Sequence, residues 1–170
     1  EGRINESARN DSIEQLLQKL HLINEENGHL TLAALLLFGK DVERWNMTVY
    51  FNIGRFGINQ ADLITQDRIV CPLIMMPDRV IEILRSKYLV APIHYEGMQR
   101  KEPLEIPENG LREMICNAII HKDYTGTFIQ MKVFDEYITL WNGGMLPPNY
   151  SVEKLMQPHE SHPRNRLMAN

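Results

Sequence analysis

A carboxylate and a carboxamide stand one helical turn apart in the segment LREMICNAIIHKDY, which begins at Leu111. Glu113, Asn117 and His121 follow one another at intervals of four residues, so on a helix they would form a polar stripe beside an apolar arc. The Glu113 carboxylate could orient and deprotonate a water molecule, and the Asn117 amide oxygen is a ligand suited to Mg²⁺. An ordinary helix with a polar exposed face shows the same spacing, so spacing alone leaves both interpretations open.

A second candidate segment is Asn142-Gly143-Gly144, which follows a stretch typical of a strand. Two glycines at the end of a strand let the backbone approach a ligand closely and adopt positive φ. The Asn142 amide could present a donor and an acceptor to the edge of a base. A simple Asn-Gly-Gly turn would explain the same three residues.

Three charged or titratable residues near these segments have two interpretations each. His121 and Asp123 could fix the end of the helix, through the helix dipole and local amides, or they could contact phosphate. As a metal site, one His and one Asp would have too few ligands. Arg164 could reach an anion or lie in a solvated turn.

The elements that would position these residues follow from hydrophobic periodicity and breaker residues. Pro77 indicates either a kink in the third helix or its beginning, and Gly54 and Gly57 are expected to end the first strand. Asp135-Glu136 predicts a tight hairpin. Together these patterns predict an α+β fold with helices packed on a mixed or antiparallel sheet. The predicted helices are 12–23, 30–38, 72–88 and 107–121, and the predicted strands are 47–53, 62–70, 127–134 and 137–142.

The composition of the 170 residues is that of a globular protein, with 44% hydrophobic and 24% charged residues. A net charge of −4 excludes a basic footprint over the whole chain. The longest apolar run, 32–38, is too short to span a bilayer, and two widely spaced cysteines fit a reducing compartment, so we expect a cytoplasmic protein without membrane contact. Residues 79–101 hold five basic and two acidic residues, which is typical of a solvated face or of a phosphate-contacting patch.

The Glu113-x-x-x-Asn117 helix, a hairpin and the Asn142 turn, in this order, resemble the GHKL ATPase superfamily of gyrase, histidine kinases and MutL. The resemblance implies that Glu113 is the general base and that Asn117 binds Mg²⁺. Asn142 occupies the position of the family's adenine-binding Asp, and Gly144 matches the first glycine of its turn. The family's remaining glycine is absent here, because Met145-Leu146 stands in its place.

The resemblance is closer to bacterial proteins that carry a RecG-like C-terminal ATPase domain behind a Schlafen/AlbA-type DNA-binding domain. The matching pieces are LTLAALLLFGK from Leu30, the RE-x-x-x-NA-x-x-HKDY pattern from Arg112, NGGMLP from Asn142 and SHPRN from Ser161. This resemblance implies an ATP-linked, DNA-associated transcriptional regulator. The expected cofactors are ATP and Mg²⁺, DNA is expected at the upstream domain, and a homo-oligomer is possible in this family. The implied nucleotide-binding residues are Asn117, His121, Asp123, Asn142, Gly143, Gly144 and Arg164.

The resemblance also implies a domain division. Residues 1–45 would end the DNA-binding module, 46–104 would form a connecting α/β lobe, and 105–170 would be the opening half of a GHKL-like α/β sandwich. We expect a piece of a longer protein whose glycine-rich lid follows residue 170, so that ATPase activity would require the full-length protein. The alternative is a non-catalytic interaction or dimerisation domain that kept the fold and lost nucleotide binding.

A helicase motor is not supported by the residues. Such a motor needs a G-x-x-x-x-G-K-[ST] loop to hold phosphates. The Gly39-Lys40 pair is followed by Asp41, and Ala34 stands where the first glycine is required. A helicase accessory piece is therefore the least favoured of the three interpretations.

Overall fold

The computed structural model describes residues 10–89, 94–96, 99–101, 106–146, 150–158, 160 and 162–169. Helices and strands alternate irregularly along this chain, which confirms the predicted α+β class. The helices are α1 (Ile13–Lys19), α2 (Leu32–Phe38), α3 (Met76–Ile83), α4 (Glu108–His121), α5 (Val152–Leu155) and α6 (Arg166–Ala169). The strands are β1 (Phe51–Phe56), β2 (Leu63–Ile69), β3 (His94–Glu96), β4 (Gln99–Lys101), β5 (Ile129–Val133) and β6 (Ile138–Trp141).

A four-stranded mixed sheet has the order β2-β1-β5-β6. β1 pairs antiparallel with β2 and parallel with β5, and β5 and β6 form an antiparallel hairpin. β3 and β4 pair antiparallel in a separate two-stranded sheet. The parallel pairing of β1 with β5 requires a long crossover, and this crossover contains both α3 and α4.

Local sequence signals explain where the helices begin. The Ser12 hydroxyl caps α1 and forms a capping box with Gln15, while the Thr31 hydroxyl accepts a hydrogen bond from the Ala34 amide at the start of α2. Pro77 lies in the first turn of α3, so of the two alternatives for this proline the helix start is confirmed. α3 continues into a π-helical turn, Leu84–Tyr88.

The main core lies between the sheet and the inner faces of α3 and α4. Val80 of α3 and Ile115 of α4 are fully buried there, opposite Phe51 and Met131 of the two central strands. Burial of each such side chain stabilises the fold by about 1.5–3 kcal/mol. The apolar arc predicted for α4 is buried except at Met114, which is 42% exposed. The buried members of the arc are Leu111, Ile115, Ala118 and Ile119.

The prediction that Gly54 ends the first strand is wrong. Gly54 lies within β1 and is flanked by Gln66 on β2 and Lys132 on β5. Paired strands on both sides hold this residue extended, which overrides the weak strand propensity of glycine. A Cβ at this position would come within 2.8 Å of the Phe56 ring, so the space above the glycine is occupied by a side chain of its own strand.

The segments predicted as separate lobes share one sheet. β1 and β2 come from residues 46–104, whereas β5 and β6 come from residues 105–170. Leu36 and Val42, from the first predicted segment, join the same core. The predicted division between residues 104 and 105 lies outside the described residues. Within the described part of the chain, the helices are too short or too polar to cross a bilayer.

Candidate functional site

The core packing of α4 determines where the polar stripe points. Leu111, Ile115 and Ala118 are buried against the sheet, and this turns Glu113 and Asn117 outward. Both polar side chains are exposed, and neither forms a hydrogen bond or ion pair with any described residue. The carboxylate and the carboxamide therefore share a face, as their spacing predicts, and that face is open to solvent.

The last residue of the stripe, His121, lies in a different environment. It is partly buried at the C-terminal end of α4. Burial lowers the pKa of its imidazole, and the nearby Arg164 guanidinium lowers it further. A neutral imidazole, with one donor and one acceptor nitrogen, is therefore the form expected at neutral pH.

The turn after α4 fixes Asp123 in a mainly structural arrangement. Its carboxylate accepts hydrogen bonds from the Thr125 amide at 2.9 Å and from the Thr125 hydroxyl at 2.7 Å. These bonds hold the Asp123 pKa below its usual range. The Asp123 amide donates to the Gly143 carbonyl at 2.7 Å, which joins the end of α4 directly to the diglycine bend.

The bend that follows β6 requires a glycine at one position. Gly144 has a φ of 147°, and a Cβ there would lie 3.1 Å from the His121 carbonyl oxygen. At Gly143 the nearest atom would be 3.9 Å away. Gly144 is therefore the residue that lets the bend pack against the end of α4, as the sequence predicts for a strand-end glycine.

The segment before α6 returns to the same place. The Arg164 guanidinium donates to the Met145 carbonyl at 3.2 Å and lies 3.8 Å from the Asp123 carboxylate. The neighbouring Asn165 side chain donates to the carbonyls of Ile120 at 2.8 Å and Lys122 at 2.7 Å. Asn165 thus satisfies carbonyls that the end of α4 leaves without helical partners.

Lys122 also supports this turn, although the sequence analysis did not identify it as a site residue. Its side chain is only 1% exposed, and its ammonium donates to the Asp123 carbonyl at 2.9 Å and to the Thr48 hydroxyl at 3.5 Å. Burial lowers its pKa. Asn46, which binds the Thr48 hydroxyl, donates to the Tyr124 carbonyl at 2.7 Å. The site is therefore built partly by residues more than 70 positions away in the chain, for which no local pattern gives a signal.

These elements line a cavity of about 520 Å³ that is open to solvent on one side, and we call it the bend cavity. Its volume lies in the range of small-molecule sites. Four predicted residues from three separate segments line it, whereas Glu113 and Asn117 do not. Asp123 and Gly143 support the cavity through the hydrogen bond from the Asp123 amide to the Gly143 carbonyl. The described lining residues are His121, Asn142, Gly144, Met145, Leu146, His162 and Arg164.

The basic stretch at 79–101 is balanced by carboxylates in the part that the structure describes. Arg79 pairs with Glu82 at 2.8 Å, and Lys87 pairs with Asp67 at 2.6 Å. Arg85 forms an ion pair with Glu108. These contacts favour the interpretation as a solvated face, and the side chains of Arg100 and Lys101 lie outside the described residues.

Comparison with known proteins supports the fold. No protein-family model and no curated protein matches the chain. Among solved structures, the crystal structure of the DIP2311 protein from Corynebacterium diphtheriae is similar, with a TM-score of 0.70 and 18% sequence identity. The match covers 97% of this chain and 33% of that protein, so this chain spans about a third of its length. At this identity, the likeness shows a shared α+β fold alone.

Proposed function

We propose that the bend cavity binds a purine nucleotide and that the protein is an ATP-linked, DNA-associated regulator of transcription. One observation carries the nucleotide part of the proposal. His121, Asn142, Gly144 and Arg164 were implicated by three different stretches of sequence, and they line the same cavity. The association with DNA rests on the resemblance to Schlafen/AlbA-containing regulators.

The chemistry of the cavity suits such a ligand. The Asn142 side chain donates to the Gly143 carbonyl at 3.4 Å, which uses one of its two N–H groups weakly and leaves donor and acceptor capacity. The apolar parts of Met145 and Leu146 offer contact area to a planar base. Mg²⁺ usually keeps several waters and takes its other oxygens from one or two side chains and phosphate, so a single amide such as Asn117 fits that role.

Calorimetry with Mg-ATP and the 170-residue chain tests the proposal. Asn142→Ala should weaken binding about tenfold, which corresponds to about 1.4 kcal/mol. Asn117→Ala should weaken binding only when Mg²⁺ is present, because this asparagine lies outside the cavity and would act through the metal. In a second titration with ATP and no Mg²⁺, Asn117→Ala is the matched control and should bind as the wild type does. Equal affinity of the wild type and Asn142→Ala would contradict the proposal.

A non-catalytic interaction or dimerisation domain is the second candidate. It is favoured by the exposure of Glu113, the proposed base, which has no partner among the described residues to orient it. If this candidate is correct, ATP will give no binding heat, and sedimentation will show self-association that ATP does not alter.

A further inference from the structure

Among the described residues that line the bend cavity, one carries a permanent positive charge. This charge belongs to Arg164. Two histidines, His121 and His162, also line the wall, burial lowers the pKa of the His121 imidazole, and no carboxylate is among the described lining residues. The nearest acid, Asp123, already accepts two hydrogen bonds from Thr125, and its carboxylate lies 3.8 Å from the guanidinium, beyond hydrogen-bond length. The charge of Arg164 is therefore only partly balanced.

A structural explanation for this arginine would be that it caps the C-terminal end of α4. The contacts do not support that explanation, because other residues occupy the carbonyls at this end. Asn165 binds the carbonyls of Ile120 and Lys122, and the Lys122 ammonium binds that of Asp123. Arg164 donates instead to the Met145 carbonyl in the bend, which uses one of its five N–H groups.

The free donors of Arg164 lie beside the bend. Its Nε is 3.7 Å from the point where a Gly144 Cβ would stand, so a glycine here keeps open the space in front of the guanidinium. The amides of Gly144 and Met145 donate to no described backbone carbonyl. A guanidinium with free donors, next to amides that donate to no described carbonyl, is a set of donors suited to a phosphate group.

We propose that Arg164 anchors a phosphate group in the bend cavity, at the end beside Gly144. The identification of the ligand as a nucleotide rests on the proposed function, whereas the phosphate contact itself does not. It also differs from the resemblance, which places adenine beside Gly144. Inorganic pyrophosphate and the phosphates of ATP offer the same chemistry, so both serve as probes.

The test compares three probes, pyrophosphate, ATP and adenosine, on the 170-residue chain by calorimetry and by the NMR shift of the Gly144 amide. Arg164→Ala should weaken pyrophosphate and ATP binding at least tenfold and leave adenosine unchanged. Arg166→Ala is the matched control, since Arg166 is an exposed arginine two residues away that does not line the cavity, and it should leave all three unchanged. Circular dichroism of each variant checks that the fold is kept.

The outcomes separate this inference from the proposed function. Pyrophosphate binding that depends on Arg164, with no added affinity for ATP and none for adenosine, would support the phosphate anchor and contradict the nucleotide proposal. Adenosine or ATP binding that is unaffected by Arg164→Ala would support the nucleotide proposal and overturn the anchor. Equal loss in both arginine variants would also overturn the anchor, because it would indicate general charge attraction.

Discussion

The middle of α4 and its C-terminal end carry the same polar stripe in different surroundings. Glu113 and Asn117, in the middle, face solvent without a described partner. At the end, His121 lies beside a cavity, and the following turn is held by Asn165 and Lys122. Helical spacing therefore places residues on one face, but a cavity forms only where segments that are distant in the sequence pack against that face.

The largest contrast is expected between two asparagines, one in each region. Asn165→Ala removes both side-chain hydrogen bonds to the end of α4 and should lower the free energy of unfolding by about 1–3 kcal/mol, because the Lys122 carbonyl loses this partner while the Ile120 carbonyl keeps only the Asn165 backbone amide. Asn117→Ala should change it by less than about 0.5 kcal/mol. Urea unfolding of both variants measures the difference. Similar values would show that the end of α4 is not anchored by Asn165.

The adjacent glycines Gly143 and Gly144 are expected to differ in how much a substitution lowers the free energy of unfolding. Gly144→Ala should cost about 1–2 kcal/mol, because φ is 147° and the new Cβ would stand 3.1 Å from the His121 carbonyl oxygen. Gly143→Ala should cost less, since its Cβ would have no neighbour closer than 3.9 Å. Thermal unfolding of the two variants checks the order. A larger loss at Gly143 would contradict the packing of the bend described here.

The titration of His121 tests its proximity to Arg164. The pKa of His121 in the folded state is lowered from about 6.5. As the pH falls through about 6.5, the imidazole of the unfolded chain therefore binds a proton more readily than that of the folded chain, and the free energy of unfolding decreases. Arg164→Ala removes the second cause of the shift and should raise the His121 pKa, while burial keeps it below the ordinary value. NMR titration of the imidazole protons measures this change. An unaltered pKa in the variant would place the guanidinium farther away.

The smallest effect on stability is expected at Glu113. Glu113→Gln should change the free energy of unfolding by less than about 0.5 kcal/mol, because the side chain is exposed and has no described partner. If Glu113 is the general base, the same change in full-length protein should abolish ATP turnover and spare ATP binding. Turnover equal to the wild type would remove Glu113 from that role.

The bounds of α4 were predicted more accurately than those of β1, for a reason that lies in the range of the contacts. The predicted helix at 107–121 differs from α4 by one residue, because its apolar repeat and its hydrogen bonds are local. The first strand was predicted at 47–53 but is Phe51–Phe56, since its extent depends on pairing with β2 and β5, which are remote in sequence. Gly54 is an example of this dependence on remote pairing, because the residues paired with it on its two sides belong to β2 and β5.

The candidate site was predicted in part. The need for a glycine at the bend followed from residue type, and the structure brings Gly144 together with His121, Asn142 and Arg164. The supporting roles of Lys122 and Asn165 were not predicted. Their hydrogen bonds join residues that lie far apart in the sequence, so no local pattern indicates these contacts.

Side-chain direction and backbone freedom are properties of the local chain, so the residues alone indicate which side chains share a face of each helix and where glycine permits a bend. The different surroundings of the polar stripe depend on tertiary packing, which places one end of the stripe at the bend cavity and leaves its middle exposed to water. That outcome depends on the parallel pairing of β1 with β5 and on the return of Arg164 and Asn165 to α4, which are packing events between distant segments.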